Sequence, residues 1–269
     1  MGEVLIQPRI DRVAPYVDLA LAEGLRMELI EPAHPGYLDR LDGYFERCRE
    51  LIPAEVPLAL HGPFIDIALH SADREIREAS RRRVRASLAW AQEIGVTYLI
   101  LHGNHLPMIN ETGYDEAWLR GHLEFFSSLD FGAVTVVLEN MWDPTPDLLL
   151  RLVAEAGSDR LRLCLDVAHW NVYGTVSLEE WLRRAGAFTP YIQYGDNQGD
   201  RDADMALGAG SVDWAEVDRT VRRWAPSADV MVGVGDDDGT KLTASLAFLR
   251  EHGVYPFPVA EQVREVLGP

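Results

Sequence analysis

Short apolar runs recur along this chain. Each is followed by a longer stretch in which apolar positions return every three or four residues. The first pattern is that of a buried strand, and the second that of a helix with one apolar face. Strands are predicted over Glu3–Gln7, Arg26–Ile30, Val56–Leu60, Val96–Leu101, Val134–Leu138, Leu161–Leu165, Tyr191–Tyr194 and Val230–Val234. Helices are predicted over Tyr16–Glu23, Leu38–Leu51, Asp73–Ile94, Glu116–Leu129, Pro146–Ala156, Ser177–Ala185, Trp214–Trp224 and Thr240–His252. Pro53 stops the second of these helices. Gly95 closes the third, which Ser71 or Asp73 caps, and Ser177 with Glu180 makes a capping box. Val134–Leu138 is β-branched and continuous, as a parallel strand buried on both faces should be.

Eight strand–helix pairs in 269 residues predict an α/β fold, a (β/α)8 TIM barrel. A doubly wound open sheet is the alternative, but no glycine-rich fingerprint follows an early strand. There is no linker and no break in composition. A single domain over residues 1–269 is expected, with 259–269 as an extra helix packed outside.

The strands end in unusual residues. Leu163–Asn171 reads LCLDVAHWN, with Asp166 at the strand end and His169 in the turn after it. A capping aspartate and a hydrogen-bonded loop histidine would explain that pair equally well. Three other strands end in the same manner: ALHGPF at Ala59–Phe64, LILHGN at Leu99–Asn104 and VVLENMW at Val136–Trp142. His61, His102, Glu139 and Asp166 therefore fall at the C-terminal ends of four consecutive strands, where barrels of this kind keep their chemistry. Two imidazoles and two carboxylates suit Zn²⁺, Mn²⁺ or Fe²⁺, and the histidines argue against Mg²⁺ or Ca²⁺.

Composition narrows the partners. A hydrophobic content of 47% supports a full core, and a formal net charge of −18 repels phosphate backbones, so no nucleic-acid partner is expected. The basic run Arg81–Arg85 shares its helix with Glu75 and Glu78 and reads as a solvated face. No apolar run is long enough for a bilayer, so no membrane partner is expected. The start MGEVLIQPRI lacks the order of a signal peptide, and a cytoplasmic location is expected. Cys48 and Cys164 read as small core residues rather than a disulfide. Lys241 is the sole lysine and so the only Schiff-base candidate. The oligomeric state is left open, an oligomer included.

The series HGPF, LHGN, LEN and LDVAHWN, followed by DxD-MALGAGSVDW, resembles the xylose-isomerase-like TIM barrels over nearly the whole chain. That superfamily includes sugar isomerases and epimerases and zinc-dependent apurinic-site endonucleases. LDVAHWN is similar to the family's D-x-x-H-x-N, and LGAGSVDW to its L-G-x-G-x-(I/V)-D. The resemblance implies a divalent metal (Zn, Mn or Fe) with Glu139 and Asp166 among its ligands. It also implies departures. Gln193 stands where the family has a histidine on the seventh strand. Gly233 stands where it has a glutamate on the eighth, and Asp204 replaces a histidine two residues after Asp202. His61, His102 and Glu139 match one metal position of the multi-zinc members. His169, Asp202 and Asp204 are candidates for a second, and Gln193 for a weak carbonyl ligand.

The activity implied is metal-assisted isomerisation or epimerisation of a small polyhydroxylated substrate, with Glu139 and His102 as catalytic residues. Asp236–Asp238 or Lys241 are candidates for a second base in place of the missing glutamate. Trp142 and Trp170 are candidates for a sugar-stacking platform or, equally, caps on the barrel rim. Asn104, Asn140, Asn171, Asn197, Gln193 and Lys241 are candidate substrate contacts. His34, His70, His105, His122 and His252 are read as loop or helix-surface residues. Two alternatives remain: a degenerate barrel that binds a sugar-like ligand without turnover, and a metal-dependent hydrolase or lyase.

Overall fold

Parallel pairing runs in chain order around the molecule and returns to its start. In the computed structural model, which describes residues 2–235 and 238–258, the strands are β1 (Val4–Ile6), β2 (Arg26–Leu29), β3 (Leu58–His61), β4 (Tyr98–His102), β5 (Thr135–Glu139), β6 (Leu161–Asp166), β7 (Tyr191–Tyr194) and β8 (Asp229–Val232). Pairing of β8 with β1 closes the barrel. The helices are α1 (Ala14–Glu23), α2 (Pro35–Leu38), α3 (Leu41–Leu51), α4 (Arg74–Ile94), α5 (Tyr114–Phe126), α6 (Asp147–Ala156), α7 (Val167–Tyr173), α8 (Leu178–Ala185), α9 (Trp214–Trp224) and α10 (Thr240–Glu251). This is the (β/α)8 barrel that the pattern predicts. Among the described residues no helix is long and apolar enough to cross a membrane.

Alternation along each strand sorts its side chains. One set, including Ile6, Met27, Leu60, Leu101 and Leu138, packs outward under the helices in the main core. The other set faces the barrel axis. There Leu5, Ala59, Ile100, Val137, Cys164, Tyr191 and Met231 form an inner layer, and Glu28 is the contribution of β2 to it. Burial of a large aliphatic side chain in either layer stabilises the fold by about 1.5–3 kcal/mol. Two residues further along the strands comes the mouth: Gln7, Ile30, His61, His102, Glu139, Asp166, Gln193 and Gly233. The candidate site is thus the top layer of the barrel filling.

Several boundaries differ from the sequence reading. β3, β4, β5 and β6 each run one residue further, into His61, His102, Glu139 and Asp166. The ladder continues through these polar ends, pairing His102 with Glu139 and Asp166 with Gln193. An apolar criterion truncates a strand where its last inward residue is chemical rather than hydrophobic. The helix expected over Leu38–Leu51 is two pieces, because Arg40 leaves the helical region at φ −135°. α7 occupies the stretch where a turn is expected. It forms because Asp166 caps it, its carboxylate accepting from the His169 backbone N–H at 2.7 Å. Asp73 caps α4 and Ser177 caps α8, as expected. The helix expected over Val259–Leu267 lies outside the described residues.

Candidate metal centre

Glu139 is fully buried at the end of β5, and its carboxylate is ringed by nitrogen. Oε2 lies 3.4 Å from His61 Nε2, 3.5 Å from His102 Nε2 and 3.1 Å from the Gln193 amide nitrogen. Oε1 lies 3.1 Å from His169 Nδ1. The parallel register produces this convergence: β3, β4, β5 and β7 each deliver one inward side chain at the same height.

The tautomers are set by backbone carbonyls, which only accept. His61 Nδ1 is 3.0 Å from Gly62 O, and His169 Nδ1 is 2.9 Å from Asn140 O. Each Nδ1 therefore carries a hydrogen, and each Nε2 turns its lone pair toward a carboxylate. His61 Nε2 faces Glu139. His169 Nε2 faces Asp202 Oδ2 at 3.3 Å. Lone pair against carboxylate is repulsive unless a proton or a cation lies between. A backbone-anchored Nδ1 with Nε2 turned to an acidic partner is how ligating histidines are held.

The spacing fits a metal. A tetrahedral ion about 2.0–2.1 Å from its ligands sets them about 3.4 Å apart. The pairs His61–Glu139, His102–Glu139 and His169–Asp202 match that separation. Donor atoms of His61, His102 and Glu139 all lie within 4.8 Å of one another, as do those of Glu139, Asp166 and His169. His169 Nδ1 lies 3.1 Å from Glu139 Oε1 and 3.7 Å from Asp166 Oδ1, but the Asn140 carbonyl already occupies it. His169 therefore serves a metal better through Nε2, with Asp202. Asp204 lies close by, in the left-handed region at φ +43°, where aspartate is among the few residues tolerated.

Without a cation the electrostatics are strained. Burial and the neighbouring Glu139 push the Asp166 carboxyl up to about 7. Burial opposes a charge on His61, but Glu139 more than offsets it and lifts the imidazole to about 8. Burial dominates at His102, which is pulled down to about 3 and stays neutral. Burial would raise Glu139 too, yet His102, His169 and His61 hold it well below the usual carboxylate range.

The remaining sequence candidates are brought to the same end of the barrel but serve other partners. Asn140 bonds both backbone groups of Asp166, accepting its N–H at 2.8 Å and donating to its carbonyl at 3.1 Å. Asn104 donates to the carbonyls of Phe64 and Ile67. Asn171 donates to Asn197, and Asn197 donates to Ala168 O. Each of the four candidate asparagines therefore fastens a loop or a strand end. Trp170 donates to Val176 O and packs on the outer core. Trp142 is half-buried and stacks at 6.5 Å on Phe64, which lies 4.1 Å from the His102 ring. Lys241 is exposed and donates to the Asp204 carbonyl. Asp236 and Asp237 lie outside the described residues. His122 is buried within α5, contrary to its reading as a loop or helix-surface residue, and stacks on Trp118 at 4.0 Å; His105 lies in the loop after β4, as expected, and pairs with Asp115 at 2.8 Å.

Three groups escape a strand-end search. Glu28 is buried one layer below the mouth and bonds Gln7 and Tyr191. Its signal was a glutamate at an inward position of a short strand. Asp143 is buried beyond β5, and burial pushes its carboxyl up to about 6. Asp196 accepts from the backbone N–H of Asn197, Gly208, Gly210 and Val212 and from Trp214 Nε1. It thereby folds the 197–212 loop that carries Asp202 and Asp204. A Cβ on Gly210 would fall 2.1 Å from Asp196 Oδ1, which explains that glycine.

Known proteins are similar to this chain in sequence and in fold. Probable endonuclease 4 of Mycobacterium tuberculosis is 29% identical over 213 residues, 74% of this chain and 79% of that protein. The uncharacterised protein MJ1311 of Methanocaldococcus jannaschii is 25% identical over 175 residues, covering 61% of this chain and 59% of its own length. The TTHB071 protein of Thermus thermophilus, solved after soaking with ZnCl₂, superposes with a TM-score of 0.69 at 25% identity, over 93% of this chain and 97% of its own. A D-tagatose 3-epimerase-like protein superposes with a TM-score of 0.71 at 18% identity, over 93% and 96%. Residues 18–252 match the description "Xylose isomerase-like TIM barrel", and the chain belongs to that family.

Proposed function

We propose that this protein is a metal-dependent isomerase or epimerase of a small polyhydroxylated substrate, working in a reducing, cytoplasmic setting. One observation carries the reading: a fully buried Glu139 held among three imidazoles at the mouth, facing, among the described residues, strand ends that carry amide, glycine and isoleucine. His61, His102 and Glu139 would hold one ion; His169 and Asp202, with Asp204, would hold a second. A divalent cation held by these residues would supply Lewis-acid polarisation of a carbonyl–hydroxyl pair. Glu139, ionised at neutral pH, takes the proton from the carbon beside the carbonyl. His102 stays neutral and supplies a lone pair rather than a charge. Among the described residues, β8 and β1 present Gly233 and Gln7 on the far side, and neither is an acid or a base. Return of the proton to the same face therefore fits better than delivery to the opposite one. That favours isomerisation over epimerisation.

The likeness to probable endonuclease 4 and the His61–His102–Glu139 set favour a second reading, a metal-dependent phosphodiester hydrolase. The net charge of −18 weighs against it. Incubation with unphosphorylated ketoses and aldoses in D₂O decides between them. Deuterium entering the carbon beside the carbonyl, lost in Glu139→Gln, supports the isomerase. Incision of an abasic-site duplex without any such exchange would replace it with the hydrolase.

A further inference from the structure

Glu28 is fully buried in a barrel layer that is otherwise apolar or aromatic. Such side chains fill that layer on the other seven strands, so packing does not require a carboxylate there. A buried charge is costly unless hydrogen bonds and an opposite charge offset it. The hydrogen bonds are present. Oε1 accepts from Gln7 Nε2 at 2.7 Å, and Oε2 accepts from the Tyr191 hydroxyl at 2.5 Å. Both donors are neutral. Arg26 lies two residues back on β2, on the same face, but Asp229 takes its guanidinium at 3.2 Å. Among the described residues no lysine or arginine pairs with Glu28. What lies above it is the candidate metal centre. Glu28 is in register with Ala59, and His61 is the next residue of β3 on that face. Two strand residues advance about 6–7 Å, so Glu28 sits one layer below His61. Burial pushes the Glu28 carboxyl up, and of its neighbours His61 does most to hold it down, while Glu139 repels it.

We propose that Glu28 is the buried counter-charge of the metal centre, an anion in the layer below that raises the affinity of the His61–His102–Glu139 position for a divalent cation. The inference rests on the metal-dependent reading above and deepens it. With neutral imidazoles, that position offers a single negative charge, on Glu139. A divalent ion held there keeps one positive charge uncompensated in a buried site. Glu28 supplies the second negative charge without becoming a ligand, and the ion in turn supplies the cation that Glu28 lacks. The field of a charge acts on any divalent ion, so Zn²⁺ and Mn²⁺ feel it alike.

The test is the dissociation constant of the full chain for Zn²⁺ and for Mn²⁺, read by competition with a fluorescent chelator. It is paired with the melting temperature of metal-free protein at about pH 9, where His61 is neutral. Glu28→Gln keeps the size of the side chain and removes its charge. Both dissociation constants are expected to rise about 10–100-fold, the range for groups that support metal ligands from behind. The metal-free variant should melt no lower than the wild type, because an unbalanced buried charge is gone. A residue that served only the fold would do the reverse, lowering the melting temperature and leaving the affinities alone. That result would overturn the assignment. So would weaker binding accompanied by lower melting of the metal-free protein, or a loss confined to one of the two ions. If Glu28→Gln does not fold, Glu28→Leu combined with Tyr191→Phe removes the charge together with one of its donors, and unchanged affinities there count against the proposal equally. A wild type that binds neither ion would end the metal reading and this proposal with it. Metal binding by the wild type with an unaffected Glu28→Gln ends only the proposal.

Discussion

Glu139 has three imidazoles and an amide around one carboxylate, and the protons among them decide how the site responds to pH. In metal-free protein the fold raises His61 to about 8 and Asp166 to about 7, against about 6.5 and 3.9 in an unfolded chain. A raised folded pKa favours the protonated form. The stability it contributes is full at low pH and is lost as pH rises through the folded value. Chelated protein is therefore expected to melt at lower temperature at pH 8.5 than at pH 6.5. A cation needs the deprotonated forms, so the increment gained from added Zn²⁺ or Mn²⁺ should grow over the same window. Thermal scans at the two pH values, with chelator and with metal, check both trends. Glu139→Ala is expected to abolish bound metal, and Asp166→Ala to weaken its binding by at least tenfold; metal content after dialysis reads both. At this scale His61, His102, Glu139 and Asp166 were legible because each is a polar residue ending an apolar run. Glu28 carried a weaker signal, its inward place on a short strand, and Asp143 carried none, since nothing in a loop separates a buried carboxylate from an exposed one. The asparagines carry no such signal, because side-chain amides serve backbone and ligand alike.

The loop after β7 and the short helix after β6 show how elements place the chemistry. Asp166 starts α7 by capping it, and that turn of helix brings the His169 ring over Glu139. Asp196 gathers four backbone N–H groups and an indole, which holds Asp202 opposite His169 Nε2. Gly210→Ala would drive a methyl into Asp196 Oδ1 and Asn197 O, 2.1 and 2.4 Å away. It should destabilise the protein by roughly 2–4 kcal/mol, measurable by denaturant unfolding, and should weaken metal binding at His169 and Asp202. The strands and most helices were legible from periodicity, because a parallel barrel strand is apolar on both faces and its helices on one. α7 was not, because seven residues are too few for a helical period to declare itself beside a strand end.

As a whole the molecule is an acidic barrel with an asymmetric mouth. Histidines and carboxylates occupy β3 to β6, while amides, glycine and isoleucine occupy β7 to β2. A net charge of −18 should keep it off duplex DNA, and a gel shift with abasic duplex at physiological salt is expected to show no complex. The barrel itself was legible from eight strand–helix pairs. Which half of the mouth would be chemical was legible only in part, since Asp202 and Asp204 reach it from a loop. The central claim is that a cation relieves the repulsion among Glu139, Asp166 and Asp202. The direct measurement is metal content of protein purified without added metal, paired with melting temperature before and after chelation. At least one transition-metal ion per chain and a fall of several degrees on chelation are expected. No bound metal and an unchanged melting temperature would contradict the account, and would mean that protonated His61 and His169 balance the carboxylates instead.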